Sequence, residues 1–566
     1  MSSNAASVAV NGGATGFAGH PKGLYALFAT EMWERFSFYS MLALFTLYLR
    51  DPVQGFGWTA ADATGLYANY LMFVYASPLI GGLIADKVTG YRKAVMIGGF
   101  FFMAGHGLLS IPALWAVYLA LTCLVIGNGF FKPNVSTMVG NLYPEGSHLK
   151  DRAYNIFYMG INVGAWSAPI VMEIVKAYFG FHAAFAVAAF GMIISVAILW
   201  YFRSLVEGAD RKALVIGDHV IEDVSSKAMA DSDQMADTAA TAVDAPPHGI
   251  SDQDNHVGKN LIDSVPDWKR ISSLVVIFAI VVVFWMVFHQ NGSTLTYWAD
   301  DNTAWNVTGT ISNSINPFWI IVLTFPLVWF WGFLDRRGKE PSTPTKMAFG
   351  MTLTALSFFV LYFGAIQGEK IAPSTADLAS GSFRINDRVV SKLTAQGVSA
   401  DVMKKVMDAK DKDGKNLVND VKFSESKDDA TGVTKSGADR LIAAIDEAAP
   451  GEGTKNRDKI LATSFLFRVS PFWLILAYAI ISLGELMLSP MGLSLVSKVA
   501  PIRMRGLMMG GWFVATAIGN KLTMIGIYWS IWNQSSFFLV LGMAALVMAV
   551  VLFILLRPLK KAMPGV

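Results

Sequence analysis

The sequence predicts an all-α membrane protein with about twelve transmembrane helices in two six-helix bundles and a small extracytoplasmic insert. Three observations predict it. The 566-residue chain is 54% hydrophobic and only 15% charged, with a mean hydropathy of +0.45, well to the apolar side of a soluble domain. Its apolar residues gather into runs that each approach the roughly 20 residues a helix needs to cross a bilayer core. Lysine and arginine recur in alternate short loops, the pattern of a cytoplasmic face.

In order, the predicted spans cover 24–49, 63–86, 92–111, 114–140, 152–178, 181–203, 271–292, 311–334, 346–366, 470–497, 506–530 and 534–557. The basic loops carry Lys87, Arg92 and Lys93, then Lys150 and Arg152, then Arg336, Arg337 and Lys339, then Lys498, Arg503 and Arg505. With Arg557, Lys560 and Lys561 they fall on one side, so both termini are expected in the cytoplasm of a cell with this chain in its cell membrane, a bacterial inner membrane. The expected units are a cytoplasmic N-terminal tail 1–22, a first bundle 23–203, a cytoplasmic linker 204–269, a second bundle 270–367 and 463–558, an extracytoplasmic inserted domain 368–462 and a C-terminal tail 559–566.

The linker is rich in Asp, Ala and Ser and includes Pro246–Pro247, the composition of a flexible connection. The insert has more structure: Val398, Val402, Met403, Val406 and Met407 lie at helical spacing, and Leu441, Ile442 and Ile445 suggest a second amphipathic helix. Its Asp411-Lys-Asp413-Gly414 run departs from a calcium loop, because Ala409 occupies the first ligand position and Asp420 the twelfth. Both bundles are complete without this insert, which implies an accessory role.

Several function classes are disfavoured. A net charge of +3 is too mild to suggest nucleic acid. The first twenty residues lack a charged, apolar leader. Cys123 is the only cysteine, so no internal disulfide can form. No nucleotide loop, metal-ligand cluster or nucleophile motif emerges, so no catalytic residue, metal or cofactor is assigned and the chain is not expected to be an enzyme. A membrane peptide sensor would need a signalling output segment, and none is evident.

Charges inside the spans carry the functional signal. Glu31, Glu34 and Arg35 sit at i, i+3 and i+4 of the first span, on one helical face about 100° wide. Together with Lys132 and Glu485 they cost on the order of 12–17 kcal/mol before pairing. An internal salt-bridge network would offset that cost, yet two glutamates against one arginine leave an acid free to titrate. Lys132 and Glu485 lie in opposite halves, which allows a bridge across the interface.

Gly82-Leu-Ile-Ala-Asp86-Lys87 after the second span and Gly332-Phe-Leu-Asp335-Arg336-Arg337-Gly338 after the eighth echo one another. Such a loop at matching positions resembles the signature of the major facilitator superfamily, whose two-bundle repeat implies alternating access around a mid-membrane site. Four further motifs sharpen the resemblance: Glu31-Met-Trp-Glu34-Arg35-Phe36-Ser37-Phe38-Tyr39, Gly127-Asn-Gly129-Phe-Phe-Lys132-Pro133-Asn-Val-Ser136, Phe157-Tyr158-Met-Gly-Ile161-Asn162-Val-Gly164, and Gly484-Glu485-Leu-Met-Leu-Ser489-Pro490-Met-Gly492-Leu493-Ser494. On these the chain resembles the proton-dependent oligopeptide transporters.

The resemblance implies that Arg35 and Lys132 meet a peptide carboxylate and that Glu485 takes the amine. It implies that Asn162 and Asn316 hold the peptide backbone, and that Tyr39, Tyr75, Trp285 and Trp512 line the pocket. Glu31, Glu34, Arg35, Lys132 and Glu485 would couple protons. Two positions depart from the family pattern. Phe38 replaces a tyrosine, which would remove a hydroxyl from the substrate's reach, and His289 replaces an acidic residue before Gln290, where it would either titrate in coupling or serve as a neutral hydrogen-bonding residue. The implied function is proton-coupled symport importing di- and tripeptides, with protons as coupling ion and the monomer as functional unit; the alternative is another small solute, such as nitrate, an amino acid or a modified peptide.

Overall fold

The computed structural model describes residues 20–143, 149–210, 265–305, 308–427, 434–501 and 504–563. Most of the expected linker and the first nineteen residues lie outside these, as does the basic-loop residue Arg503. Among the described residues the twelve long helices are Lys22–Arg50, Ala60–Ile84, Tyr91–Leu109, Leu114–Asn141, a pair within Leu149–Tyr201, then Asp267–Phe288, Ile315–Asp335, Thr343–Glu369, Pro471–Val499, Arg505–Leu522 and Gln534–Ala562. They are numbered 1 to 12 below. Helices 5 and 6 meet at Gly180, whose non-helical backbone, with φ at +83°, ends one and starts the other.

Among the described residues, by length and average hydropathy alone, eight helical stretches qualify as membrane spans, with helices 5 and 6 counted as one. Helices 1, 3 and 11 fall short because charge is written into them: Glu31, Glu34 and Arg35 in the first, Arg92 and Lys93 in the third, Arg505 and Lys521 in the eleventh. Large apolar side chains such as Phe73, Phe100, Trp115, Phe190, Trp329, Phe363 and Ile554 are exposed on the flanks, as a lipid-facing surface requires.

Each half has its own apolar core. Helices 1–6 enclose one built on Leu27, Phe45, Phe102, Phe131, Phe157 and Phe185. Helices 7 and 9–12 enclose another built on Phe284, Trp298, Phe358, Tyr478 and Phe538. The ends are set by local chemistry. The Thr59 hydroxyl accepts from the Asp62 N–H to cap helix 2, and Pro471 opens helix 10 behind Ser470, where a missing N–H removes no helical bond.

Helix 7 differs from its expected span. Its α-helical part stops at Phe288, passes through a 3-10 turn at His289–Gly292, and resumes as Thr294–Asp301. A broken span is tolerated where it lines a cavity.

Between helices 9 and 10 the insert folds on its own core of Phe383, Leu393, Met403, Val406, Val418, Leu441 and Ile445. The two amphipathic stretches read from sequence are helices Ala400–Asp408 and Gly437–Ala448. The Asp411 run is a turn: Asp411 Oδ1 accepts from the N–H groups of Asp413 and Lys415, both at 2.9 Å, and Gly414 takes φ +78°.

Candidate functional site

A cavity of about 190 Å³ lies between the halves. Eleven of the twelve site residues expected from sequence line it: Glu31, Arg35, Tyr39, Tyr75, Lys132, Asn162, Trp285, His289, Asn316, Glu485 and Trp512. The twelfth, Glu34, lies behind the wall, fully buried.

Helix 1 supplies the charge. Its Glu31, Arg35 and Tyr39 follow i, i+4, i+8 and face the cavity, whereas Glu34 and Phe38 belong to the neighbouring stripe and turn into the first-half core. Glu34 thus stands at the edge of the roughly 100°-wide face that holds all three charges, and Arg35 pairs with both glutamates. Arg35 Nη2 donates to Glu34 Oε1 at 2.7 Å and its Nε also contacts Glu34 Oε2. The same Nε lies 3.2 Å from Glu31 Oε1. Glu31 Oε2, also buried, finds no hydrogen-bond partner among the described residues. Helix 1 reaches this position because helix 5 has glycine where they cross; a Cβ on Gly164 would sit 2.4 Å from the Met32 carbonyl oxygen.

Phe38 therefore differs from its expected role. Its ring lies 4.8 Å under the Arg35 guanidinium and is 2% exposed, so a hydroxyl there would meet the core rather than the cavity. Asn128 was not singled out, yet its Oδ1 lies 3.4 Å from Arg35 Nη2 while its Nδ2 donates to the Val74 carbonyl at 2.7 Å. Its signal was available: Asn128 and Lys132 are i and i+4 on helix 4. Tyr67, Tyr158, Asn291 and Asn313 also line the cavity and were not predicted.

Lys132 Nζ stands 5.1 Å from the Tyr75 ring centroid, a cation–π distance. Opposite Tyr75 the His289 ring stacks on Trp285 at 5.2 Å and 21°, with Tyr75 itself 5.5 Å away. His289 Nε2 has no hydrogen-bond partner among the described residues. Helices 2 and 4 carry Pro78 and Pro133 at this level, both on the cavity wall, where each proline leaves a helix carbonyl without its usual donor.

Across the cavity, Asn316 Nδ2 donates to Glu485 Oε2 at 3.0 Å and to Ser482 Oγ at 2.9 Å. This ties helix 8 to helix 10 and orients the carboxylate. The site is thus bipolar, with Arg35 and Lys132 on the first half and Glu485 on the second.

Among the described residues, hydrogen bonds between the halves cluster toward the insert-bearing face. Thr46 Oγ1 donates to the Gly292 carbonyl at 2.9 Å, the hydroxyls of Thr64 and Tyr297 are 3.2 Å apart, and Lys176 Nζ reaches Thr310 Oγ1 at 3.1 Å. The cavity is closed on that side.

Two six-helix halves enclosing a charged site at mid-depth define a membrane transporter of the major facilitator type. A family model described as "POT family" matches residues 92–411 and 439–553, and the chain belongs to that family, the proton-dependent oligopeptide transporters. The chain is 27% identical to the uncharacterized transporter YclF of Bacillus subtilis, over 97% of this chain and 96% of that one. It is 25% identical to a di-/tripeptide transporter of Lactococcus lactis, over 97% and 98%. Among solved structures, a peptide transporter POT in complex with sulfate superposes with a TM-score of 0.67 at 26% identity, covering 97% of both chains. A mutant of a peptide transporter POT in complex with alafosfalin gives 0.67 at 27%, with the same coverage.

Proposed function

We propose that this protein is a proton-coupled symporter that imports di- and tripeptides by alternating access. The observation that carries the reading is the bipolar cavity. A peptide of any sequence offers a carboxylate, an amine and an amide, and the cavity offers Arg35 with Lys132 for the first, Glu485 for the second, and Asn162 with Asn316 beside them. Tyr39, Tyr75, Trp285 and Trp512 give varied side chains an aromatic wall.

Coupling follows from charge. A zwitterionic dipeptide has no net charge, so membrane potential concentrates it only if an ion travels too. One charge crossing 100 mV is worth about 2.3 kcal/mol, enough for a gradient of roughly fifty-fold. Arg35 is bound on two sides by Glu34 and on one by Glu31, so Glu31 is the carboxylate more easily released by a proton. In this reading, protonation of Glu31 frees part of Arg35 for the substrate carboxylate. The bundles then rock, and deprotonation toward the cytoplasm returns Arg35 to Glu31. Both termini face the cytoplasm of a bacterial cell, and the monomer is the working unit.

The test is uptake into proteoliposomes of dialanine, trialanine, alanine and nitrate at two pH values with an imposed potential. Di- and tripeptide accumulation that grows with an inward proton gradient is expected. Nitrate or alanine accumulation without peptide uptake overturns the reading.

A further inference from the structure

On the insert-bearing face the halves are joined a second time, through the insert. Arg50 ends helix 1 of the first half and is 8% exposed. Its Nη2 lies 3.3 Å from both carboxylate oxygens of Asp420, in the insert. Its guanidinium also covers the ring of Tyr297, in the second half, at 4.2 Å. Asp420 Oδ2 further accepts the N–H of Ala60 at the start of helix 2.

The network then continues into the second half. Arg384 of the insert donates through Nη1 to the Asp420 carbonyl and through Nη2 to Asp301 Oδ1 at 3.0 Å. Lys422 of the insert reaches Asp300 at 2.9 Å and Asp301 at 3.1 Å. A line of alternating charge thus runs from the first half through Asp420 to the second. Uncharged contacts flank it: Lys415 Nζ donates to the Pro52 carbonyl at 2.8 Å and Asn416 Nδ2 to the Gly57 carbonyl at 2.8 Å.

Asp420 is held at φ +60°, the one left-handed non-glycine residue among the described residues. Strained backbone persists where its surroundings over-determine it, and here both ends of Asp420 are engaged: the carboxylate by Arg50 and the Ala60 N–H of the first half and, at 3.6 Å, by Arg384 Nη1 of the insert, the carbonyl by Arg384. The insert is continuous in sequence with the second half and ion-paired to it. When the halves separate on this face, the parting therefore falls between Arg50 and Asp420. On parting, Asp420 keeps Arg384 while the buried Arg50 gives up its carboxylate; removing a partner from a buried charge is costly, so the contact holds the closed state and resists opening.

We propose that the insert is a latch on this face of the transporter, with Asp420 as the positioning residue that holds helix 1 closed and must release Arg50 in every cycle. This rests on the alternating-access reading above, and it gives the insert more than an accessory role.

Two experiments test it in a Cys123→Ser background. The first joins the insert to the first half by a disulfide outside the charged network, Gly57→Cys with Lys415→Cys; a Cβ built on Gly57 lies 3.2 Å from the Lys415 Cβ, slightly inside the usual disulfide range of about 3.5–4.5 Å, and because Gly57 holds φ +60° the strain of a side chain there is common to the linked and reduced forms that are compared. Once mass spectrometry shows complete linkage, dialanine counterflow should fall at least about tenfold and return with reductant. Equal exchange in the linked and reduced forms overturns the latch. Exchange in the reduced form tests the transport reading separately. The second experiment needs no substrate: spin labels at the exposed positions Val53 and Ile531 report the gap between the halves with and without Asp420→Asn. Loss of the charge pair should raise the population of long distances about tenfold, and an unchanged distribution overturns the proposal.

Discussion

Replacing Glu485 by glutamine removes one charge and little else. Asn316 Nδ2, 3.0 Å from Glu485 Oε2, keeps an acceptor in the glutamine carbonyl, so helices 8 and 10 stay tied. What disappears is the partner for a substrate ammonium. A hydrogen bond to a charged group is worth about 1.5–3 kcal/mol, which converts to roughly 10- to 150-fold in affinity. The assay is competition against labelled dialanine counterflow by dialanine and by its N-acetyl derivative, which lacks the ammonium. The unmodified protein should favour the free amine by roughly 10- to 150-fold, and Glu485→Gln should reduce that preference nearly to one by weakening dialanine alone. If the Glu485→Gln protein still prefers the free amine as strongly, Glu485 does not take the amine and the orientation of the substrate is wrong.

Three further outcomes are expected. Glu31→Gln should keep dialanine counterflow and lose proton-driven accumulation; accumulation at the unmodified level would exclude Glu31 from coupling. Gly164→Ala should lower both the melting temperature and exchange, because its Cβ would meet the Met32 carbonyl at 2.4 Å and the Phe36 nitrogen at 2.9 Å, backbone atoms that cannot turn aside, with overpacking costing about 1–3 kcal/mol; unchanged melting would mean the helices do not cross this closely. In the insert, burial opposes the Lys422 ammonium but Asp300 and Asp301 outweigh it, so its pKa stands above the ordinary lysine value. A raised pKa stabilises the docked insert fully below that ordinary value and loses the effect only as pH rises through the higher folded one. Hydrogen exchange at Lys422 and Phe423, corrected for intrinsic rate, should therefore be flat through neutral pH and speed up only in strong alkali; loosening in mild acid would refute this.

The parts legible in the sequence share a physical reason. A charged residue inside an apolar run is costly enough that its presence announces a site, and so Glu31, Arg35, Lys132 and Glu485 stood out before any coordinates. Amphipathic spacing in the insert was equally plain at Met403, Val406, Leu441 and Ile445. Helix phase separates the neighbouring stripes: Glu34 and Phe38 are four residues apart, as are Arg35 and Tyr39, and the two stripes face different neighbours. The break in helix 7 was hidden, because the run through Trp285 and Phe288 stays apolar up to His289 and contacts with the other half decide where the α-helix yields. The network around Asp420 was hidden as well. Its partners Arg50, Ala60 and Arg384 lie far apart in sequence, and nothing local marks residues that meet only when both halves close.

Helix 1 puts the cavity and the latch on one body. Arg35 and Arg50 are fifteen residues apart on an α-helix, Lys22–Arg50, that contains no proline, which sets them roughly 22 Å apart along a stiff axis. A tilt that withdraws Arg50 from Asp420 therefore also moves Arg35 relative to Glu485. If substrate favours one tilt, the two sites share a coupling free energy, and that coupling is reciprocal. Whatever factor Asp420→Asn adds to the open population with no substrate, dialanine affinity must change in step, by an amount set by the preference of dialanine for the open or the closed form. The comparison needs only the distance distribution between labels at Val53 and Ile531, recorded with and without dialanine in both proteins. A shift with dialanine in the unmodified protein, together with an altered dialanine affinity in Asp420→Asn, would be the signature of one rigid helix reporting both events. A large change in the open population with no change in affinity, despite a shift on adding dialanine, would violate reciprocity and show that the opening reported by the labels is not the motion that substrate binding biases.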